Sequence, residues 1–588
     1  MNAPPPSFKR QGILTVLSLL VLLLSSAAQA QNIPPGQDVG ARERVGEETR
    51  KQQERKKKLF EGKKKTLVEE KELPKPPAAE GAVPETKVLI SKIEVEGATL
   101  LDEKTIRSVV SPYEGKALGL QDFKAIADEI TQHYRDRGYA TSFALIPPQK
   151  IEAGTLRIRV AEGRVGEMDL IGNRFFLTSL LKRYIGMKPG DPFNYDLLRR
   201  GMDRLNEHPD RTARVVLERG EGPNETDVHV NVKDDSPWHV SAGYNNYNSH
   251  LLDRNKGSLE LKNANFLGRD DILSGEVQLG EAGHYQLYAV RYLFPFGFQN
   301  QDRLGFNYIH IEQRLGGTVG GLDIEGKGDI LSPHYSHPLI NEENLDLSFV
   351  GSFDYKQIEN KLRGTIVGKD DLRILKAGFD LDATDPWRGR TIATHEFHFG
   401  LPGFLGGLED NDPSGSRAGA GTGGNFFRTV TNFARIQSLP RLLSAMLKGS
   451  VQLSADDLVS AEQFTIGGFY TTRGYPVGEF AGDQGFSLSS ELYVPPYFIP
   501  SSWKVPFTKK TSLFDSLRFM GFVDWGYIHN RKTLANEPQT RNLVGVGPAV
   551  RFYIPNRLSI SFDYGIAVGR EPSTGSRTQG YIEVKAYF

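Results

Sequence analysis

Two pairs of histidines come nearest to a catalytic spacing in this chain, and neither reaches it. His395-Glu396-Phe397-His398 is one residue short of H-E-x-x-H, the spacing that sets two imidazoles and a general base on one helix face. In a strand, side chains alternate, so residues three apart point to opposite faces. His395 and His398 therefore read as ordinary polar positions, and so do His334 and His337. The chain has no cysteine, which excludes thiol nucleophiles, iron–sulfur clusters, disulfides and cysteine-based zinc sites. It has no G-x-S-x-G elbow, no dinucleotide fingerprint after a strand and no Walker loop. Asp410-Asn411-Asp412 lacks the spacing of a calcium loop and lies in a Gly/Ser-rich stretch, 403–424, expected to be a flexible surface loop. The sequence predicts no enzyme, no cofactor and no metal.

A different kind of site is written in Gly467-Gly468-Phe469-Tyr470-Thr471-Thr472-Arg473-Gly474-Tyr475-Pro476, continuing to Gly482-Asp483-Gln484-Gly485. It lies between two strand-like runs, and its glycines are dense enough to allow a folded, inward-turning loop. Its arginine is Arg473. A second short pattern, Gly521-Phe522-Val523-Asp524-Trp525-Gly526, sits in a strand-like run further on.

The elements that position these residues follow from composition and periodicity. Lys plus Arg number 72 and Asp plus Glu number 72, a balance that argues against a nucleic-acid partner. With 62 glycines, 10% aromatics and a mean hydropathy of −0.40, the chain is too polar for a helical membrane protein and points to β-rich classes. Residues 1–30 read as a secretory signal peptide: Lys9 and Arg10, an apolar run at 13–24, then small residues with Ala28 and Ala30 at the cleavage site. Residues 31–86 read as a tether. Residues 42–72 carry dense charge of both signs and suit a polar helix, and 73–84 form a Pro/Ala linker.

Two small modules follow, at 87–163 and 164–235, each in the order β-α-α-β-β. In the first, Asp102 caps a helix bearing Ile106, Val109 and Val110. A second helix puts Phe123, Ile126, Ala127, Ile130 and Tyr134 on one face. The order then repeats, ending in strands at 214–219 and 227–233. Residues 156–160 and 227–232 are candidate edge strands to which an extended chain can add, and the sequence leaves open which edge is free.

From residue 236 to 588 the helical period disappears. About sixteen runs alternate in hydropathy between Gly, Asn, Asp and Pro clusters; in Leu558–Val568 the residues Leu558, Ile560, Phe562, Tyr564, Ile566 and Val568 share one face. Some 350 residues over sixteen strands suit tilted membrane strands of about 9–11 residues with their loops. Tyr285, Tyr292, Phe294, Phe296, Tyr553, Tyr581 and Tyr587 lie near segment ends, as interface aromatics would, and the last run reaches Phe588. A sheet in lipid has to close, since an unpaired edge cannot face hydrocarbon. The expected fold is two α/β modules followed by a sixteen-stranded antiparallel barrel at 236–588.

The loop at 467–476 resembles the V-R-G-[YF] motif of the BamA/TpsB superfamily of outer-membrane transporters, with Thr472 where Val is usual. Phe522, Asp524 and Gly526 resemble its F-x-D-x-G strand signature. Two modules before the barrel resemble the POTRA domains of two-partner secretion transporters. The resemblance implies that the loop folds into the barrel and that Arg473, flanked by Gly474 and Tyr475, pairs with Asp524. It implies a terminal strand carrying Tyr581 and Phe588 as a signal, and a charged segment within 31–72 that plugs the pore. It also implies an outer-membrane monomer whose partner is an unfolded haemagglutinin- or haemolysin-like exoprotein, moved without nucleotide. A barrel-assembly factor, a porin-like channel and a secreted β adhesin are the competing readings.

Overall fold

The computed structural model describes Val39 and residues 67–70, 87–249, 251–315, 323–342, 344–506, 508, 511–534 and 537–588. The expected signal peptide with Ala28 and Ala30, most of the charged segment and the Pro/Ala linker lie outside the described residues.

The first module contains β2 (Val88–Ile90), β3 (Lys92–Glu96), α1 (Glu103–Val110), β4 (Lys116–Leu118), α2 (Leu120–Arg135), β5 (Phe143–Leu145) and β6 (Thr155–Ala161). The Asp102 carboxylate accepts the Thr105 N–H at 2.7 Å, which starts α1. The apolar stripe of α2 packs Ile126, Ile130 and Tyr134 onto Leu156 and Ile158, all within one buried core. The second module contains β7 (Arg164–Ile171), α3 (Thr178–Ile185), α4 (Tyr195–Glu207), β8 (Arg211–Arg219) and β9 (Glu225–Asp234). Leu181, Ile185, Leu198, Met202, Val215, Val228 and Val230 close its core.

The strand orders correct one expectation. The sheets run β3-β6-β5 and β1-β8-β9-β7, where β1 is the short strand Leu67–Glu70. In each module the last strand lies in the middle, because the first strand crosses over to pair with it in parallel. Residues 156–160 and 227–232 belong to β6 and β9, so neither is a free edge. Residues 67–70, expected within the polar helical stretch, form a strand.

The barrel comprises β10 (Trp238–Asn245), β11 (Lys256–Asn263), β12 (Ile272–Gly280), β13 (Tyr285–Phe296), β14 (Asp302–Leu315), β15 (Ile324–Asn341), β16 (Leu345–Leu362), β17 (Thr365–Thr384), β18 (Gly389–Gly400), β19 (Phe427–Ser438) and β20 (Ser444–Ser454). It continues, after β21 (Phe464–Ile466) and β22 (Phe480–Gly482) of the inserted loop, with β23 (Gln484–Val494), β24 (Leu517–His529), β25 (Thr540–Ile554), β26 (Leu558–Val568) and β27 (Thr578–Tyr587). The sixteen strands from β10 to β20 and β23 to β27 form a closed ring in which β27 pairs back onto β10. Apolar side chains such as Leu261, Val290, Leu375, Trp525, Phe562 and Ile566 stand on the outside, uncovered by protein. An apolar band of this extent is stable only against lipid.

Three strands run far beyond the expected length, since β15, β16 and β17 have 18, 18 and 20 residues. Their ends bear outward Lys327, Glu359, Lys361 and Lys369, with a Lys327–Glu312 ion pair at 2.7 Å and a Lys369–Asp371 pair at 2.8 Å. Charge of this density belongs in water, so these ladders continue past the hydrocarbon. Tyr285 and Tyr581, expected among interface aromatics, are buried on the inner side.

The second module is fastened to the barrel by two turns, 264–271 and 297–301. Arg211, buried on β8, forks onto Asp270 at 2.5 and 2.6 Å, and the Tyr184 hydroxyl donates to the same carboxylate. The Gln299 amide donates to the Ile185 and Leu197 carbonyls at 3.2 and 3.1 Å. His208 places Nε2 at 2.9 Å from the Ala264 carbonyl, next to Arg211, Asp210 and Asp270. Burial, then the Arg211 charge, hold its pKa below the usual 6.5.

His208 is thus neutral in the folded junction but takes up a proton when released below about pH 6.5. The junction's stability is complete above that pH and falls as pH drops below it, at up to about 1.4 kcal/mol per unit for one group. Thermal unfolding of the purified chain between pH 7.5 and 5 is expected to show this loss, and His208→Asn to flatten it. An unchanged slope in the variant would remove His208 as the cause.

Candidate functional site

Loop 455–483 leaves the barrel rim after β20, turns inward and re-enters at β23. Its start is anchored by Glu462, which takes Lys356 of β16 at 3.1 Å and Arg428 of β19. Its tip, between β21 and β22, delivers Arg473 to the wall. The Arg473 guanidinium meets both Asp524 oxygens, through Nε and Nη2 at 2.7 Å each, and its backbone N–H donates to Asp524 at 3.0 Å. Nη1 reaches Asp563 at 2.8 Å, and Nη2 also reaches Glu491 and Ser489 at 3.1 Å. The Phe522 ring lies under the guanidinium, 3.4 Å from the ring centre to Cζ. The arginine side chain is 2% exposed.

The site is balanced in charge. Asp524, Glu491 and Asp563 face Arg473, Arg551 (to Asp563 at 2.7 Å) and Lys448 (to Glu491 at 3.2 Å). Such a cluster is stable while complete and costly when one member is removed.

Backbone contacts complete the seat. Gly474 adopts φ 98°, a conformation open to glycine, and donates its N–H to the Tyr581 hydroxyl at 3.1 Å. Tyr475 is fully buried, and its hydroxyl meets the Val568 and Arg570 carbonyls at 3.1 Å. The wall is smooth where the loop lies: a Cβ on Gly526 would stand 2.6 Å from Thr472 Oγ1, and one on Gly545 would stand 2.0 Å from the Arg473 carbonyl oxygen. Thr472, the departure from the usual motif, fits against Gly526. Phe588 is exposed past β27, and it exchanges backbone hydrogen bonds with Val240 of β10.

Three parts of the site were not read from the sequence. Glu491 and Asp563 were not singled out, although Gly565 follows Asp563 at the spacing by which Gly526 follows Asp524, and Arg417 sits in the stretch expected to be a flexible surface loop. That stretch is folded over the barrel mouth instead. Arg417, 2% exposed, donates to Asp483 at 3.0 Å, to Glu537 at 2.8 Å and to the Leu458 carbonyl at 2.6 Å. It thereby ties loops 401–426 and 455–483 to residues 530–534 and 537–539 in one cover. Inside the barrel, Val39 is fully buried, packed among the core that holds Ile311, Ile324 and Ile358, with its N–H on Asn360 Oδ1 at 3.2 Å.

A closed sixteen-strand barrel, filled from one side by an arginine-anchored loop and carrying two α/β modules at the other, is an outer-membrane transporter with periplasmic modules. The family description "Haemolysin secretion/activation protein ShlB/FhaC/HecB" matches residues 224–552. "POTRA domain, ShlB-type" matches 88–163, and a POTRA description, "Surface antigen variable number repeat", matches 164–234. The chain belongs to the ShlB/FhaC/HecB family, the transporters of two-partner secretion. It is 24% identical over 399 residues to the heme/hemopexin transporter protein HuxB of Haemophilus influenzae, covering 66% of this chain and 69% of that one. It is 25% identical over 459 residues to the outer membrane transporter CdiB of Escherichia coli O6:K15:H31, covering 75% and 73%. The solved structure of CdiB from Escherichia coli has the same fold, with a TM-score of 0.70 at 20% identity over 87% of this chain and 93% of that one.

Proposed function

We propose that this transporter exports one partner exoprotein, taken up unfolded at the periplasmic modules and passed through the barrel as an extended chain. The observation that carries this reading is the anchored loop: a polar lumen is closed by a segment fixed through ion pairs, which can be remade, rather than by the wall itself. A diffusion channel has no need of folded modules at its mouth, and a barrel-assembly factor of this superfamily ordinarily carries more of them. The working division is a signal peptide at 1–30 cleaved after Ala30, a tether at 31–86, docking modules at 87–163 and 164–235, and the pore at 236–588. Arg473, Gly474 and Tyr475 hold the loop against Asp524, with Phe522 and Gly526 shaping its seat, and Tyr581 and Phe588 mark the closing strand. The chain acts as a monomer, without catalysis or cofactor, and its cargo is haemagglutinin- or haemolysin-like.

The test is reconstitution in an Escherichia coli host. The chain is co-expressed with a haemagglutinin- or haemolysin-like exoprotein of its own source organism, and the medium is assayed for that product. Export that depends on this chain supports the reading; a periplasmic product in its presence overturns it.

A further inference from the structure

The strand β1 does not belong to the module it completes. It precedes the first module in sequence, yet it pairs in parallel with β8 of the second, Leu67 with Arg214, Val68 with Val215, Glu69 with Val216 and Glu70 with Leu217. The second module has its own closed core without it, and Val68 of β1 packs half-buried against that core, as do Tyr195 and Leu197 of α4. The strand lies on the helix side as well as the sheet edge: the Glu70 charge acts on the Tyr195 phenol, which burial and that carboxylate push above its usual pKa. Among the described residues it pairs with four of the nine residues of β8, at 214–217. A strand added at a sheet edge, with Val68 only half-buried, occupies a place that another extended segment can take.

We propose that β1 is a removable stand-in for cargo: an extended segment of the exoprotein, with an apolar residue in the place of Val68, displaces it and pairs with β8. This inference rests on the proposed export of an unfolded client and adds where that client docks and what guards the site. It also links docking to the pore. Val39, in the lumen, is 28 residues from Leu67, and with β1 released its nearest described attachment is Lys87, 48 residues away. At about 3.5 Å per extended residue, exchange at β8 lengthens the lumen segment's leash by up to about 70 Å.

The absence of cysteine makes a direct test clean. In a V68C/V215C chain, a disulfide should form on oxidation, and secretion of the co-expressed exoprotein should fall by about tenfold or more, because the competent state is no longer populated. Secretion should return on reduction, and V215C alone should be unaffected by the oxidant. Normal secretion from the oxidised double variant, or no disulfide at all, would overturn the proposal. A second arm needs no cargo. A fluorescent peptide of residues 65–72 should bind a V68P chain, whose own strand cannot pair, about tenfold more tightly than the unsubstituted chain. Equal binding would overturn strand exchange. If the unsubstituted chain exports nothing, the export reading fails, and the peptide arm still decides whether β8 is a guarded edge.

Discussion

Arg473→Ala is expected to abolish secretion while the barrel still assembles. Removal of the guanidinium leaves Asp524, Glu491 and Asp563 facing Arg551 and Lys448, three carboxylates against two cations in a site that is almost fully buried. Breaking a buried ion pair in this way costs about 3–5 kcal/mol. That energy is available only by moving the loop, since the wall carboxylates lie on strands held by continuous ladders on both sides. The loop tip therefore leaves its seat, and Gly474 and Tyr475 lose their contacts with Tyr581, Val568 and Arg570. Arg473→Lys is expected to fail nearly as badly, because an ammonium cannot fork across Asp524 and reach Asp563 while lying over Phe522. Arg473→Ala/Asp524→Asn, which removes one stranded charge, should recover some heat stability but little secretion. The checks are exoprotein in the medium, outer-membrane abundance and heat-modifiable migration. Normal secretion by the alanine variant would show that the anchored loop is not part of the transport cycle.

How much of this was readable in advance depends on the distance over which a residue's meaning is set. The alternation in Leu558–Val568 is local, and the structure has that strand with the same limits. The caps and stripes of the modules are local too, as at Asp102 and along α2. Arg473 and Asp524 stand out through the resemblance of their surroundings to the V-R-G-[YF] and F-x-D-x-G motifs. Asp563 and Glu491 do not, since in sequence they are two of many inward carboxylates. Only the ladder register, with Glu491 opposite Phe522 and Ser489 opposite Asp524, gathers them around one guanidinium. Arg417 was invisible for another reason: three loops bury it, and loop packing has no period. Neither candidate edge strand is an edge, because the repeated order β-α-α-β-β says which strands exist and leaves open which is central. β1 lay beyond reading altogether, for its partner β8 is more than 140 residues away.

Deleting residues 31–72 is expected to raise single-channel conductance several-fold in planar bilayers. A sixteen-strand barrel is wide enough for an aqueous channel, so whatever fills it sets the conductance. The anchored loop fills part of the lumen. Val39 also lies in the lumen: its side chain packs so closely on β15 that a Cβ on Gly326 would stand 2.6 Å from Val39 Cβ. The deletion removes Val39 and β1 together, and point variants separate them. Gly326→Val should expel the segment by steric conflict with the Val39 side chain, and Val39→Asp should do so by burying a charge among Ile311, Ile324 and Ile358. Both should raise conductance in the direction of the deletion with β1 left intact. Val68→Pro, which frees β1 alone, should leave Val39 in place and change the resting current little, because releasing the leash permits exit without driving it. Conductance unchanged by the deletion and by both lumen variants would mean that the loop alone closes the pore. A rise in the deletion without one in Gly326→Val would place the closing contacts elsewhere in 31–72 than at Val39.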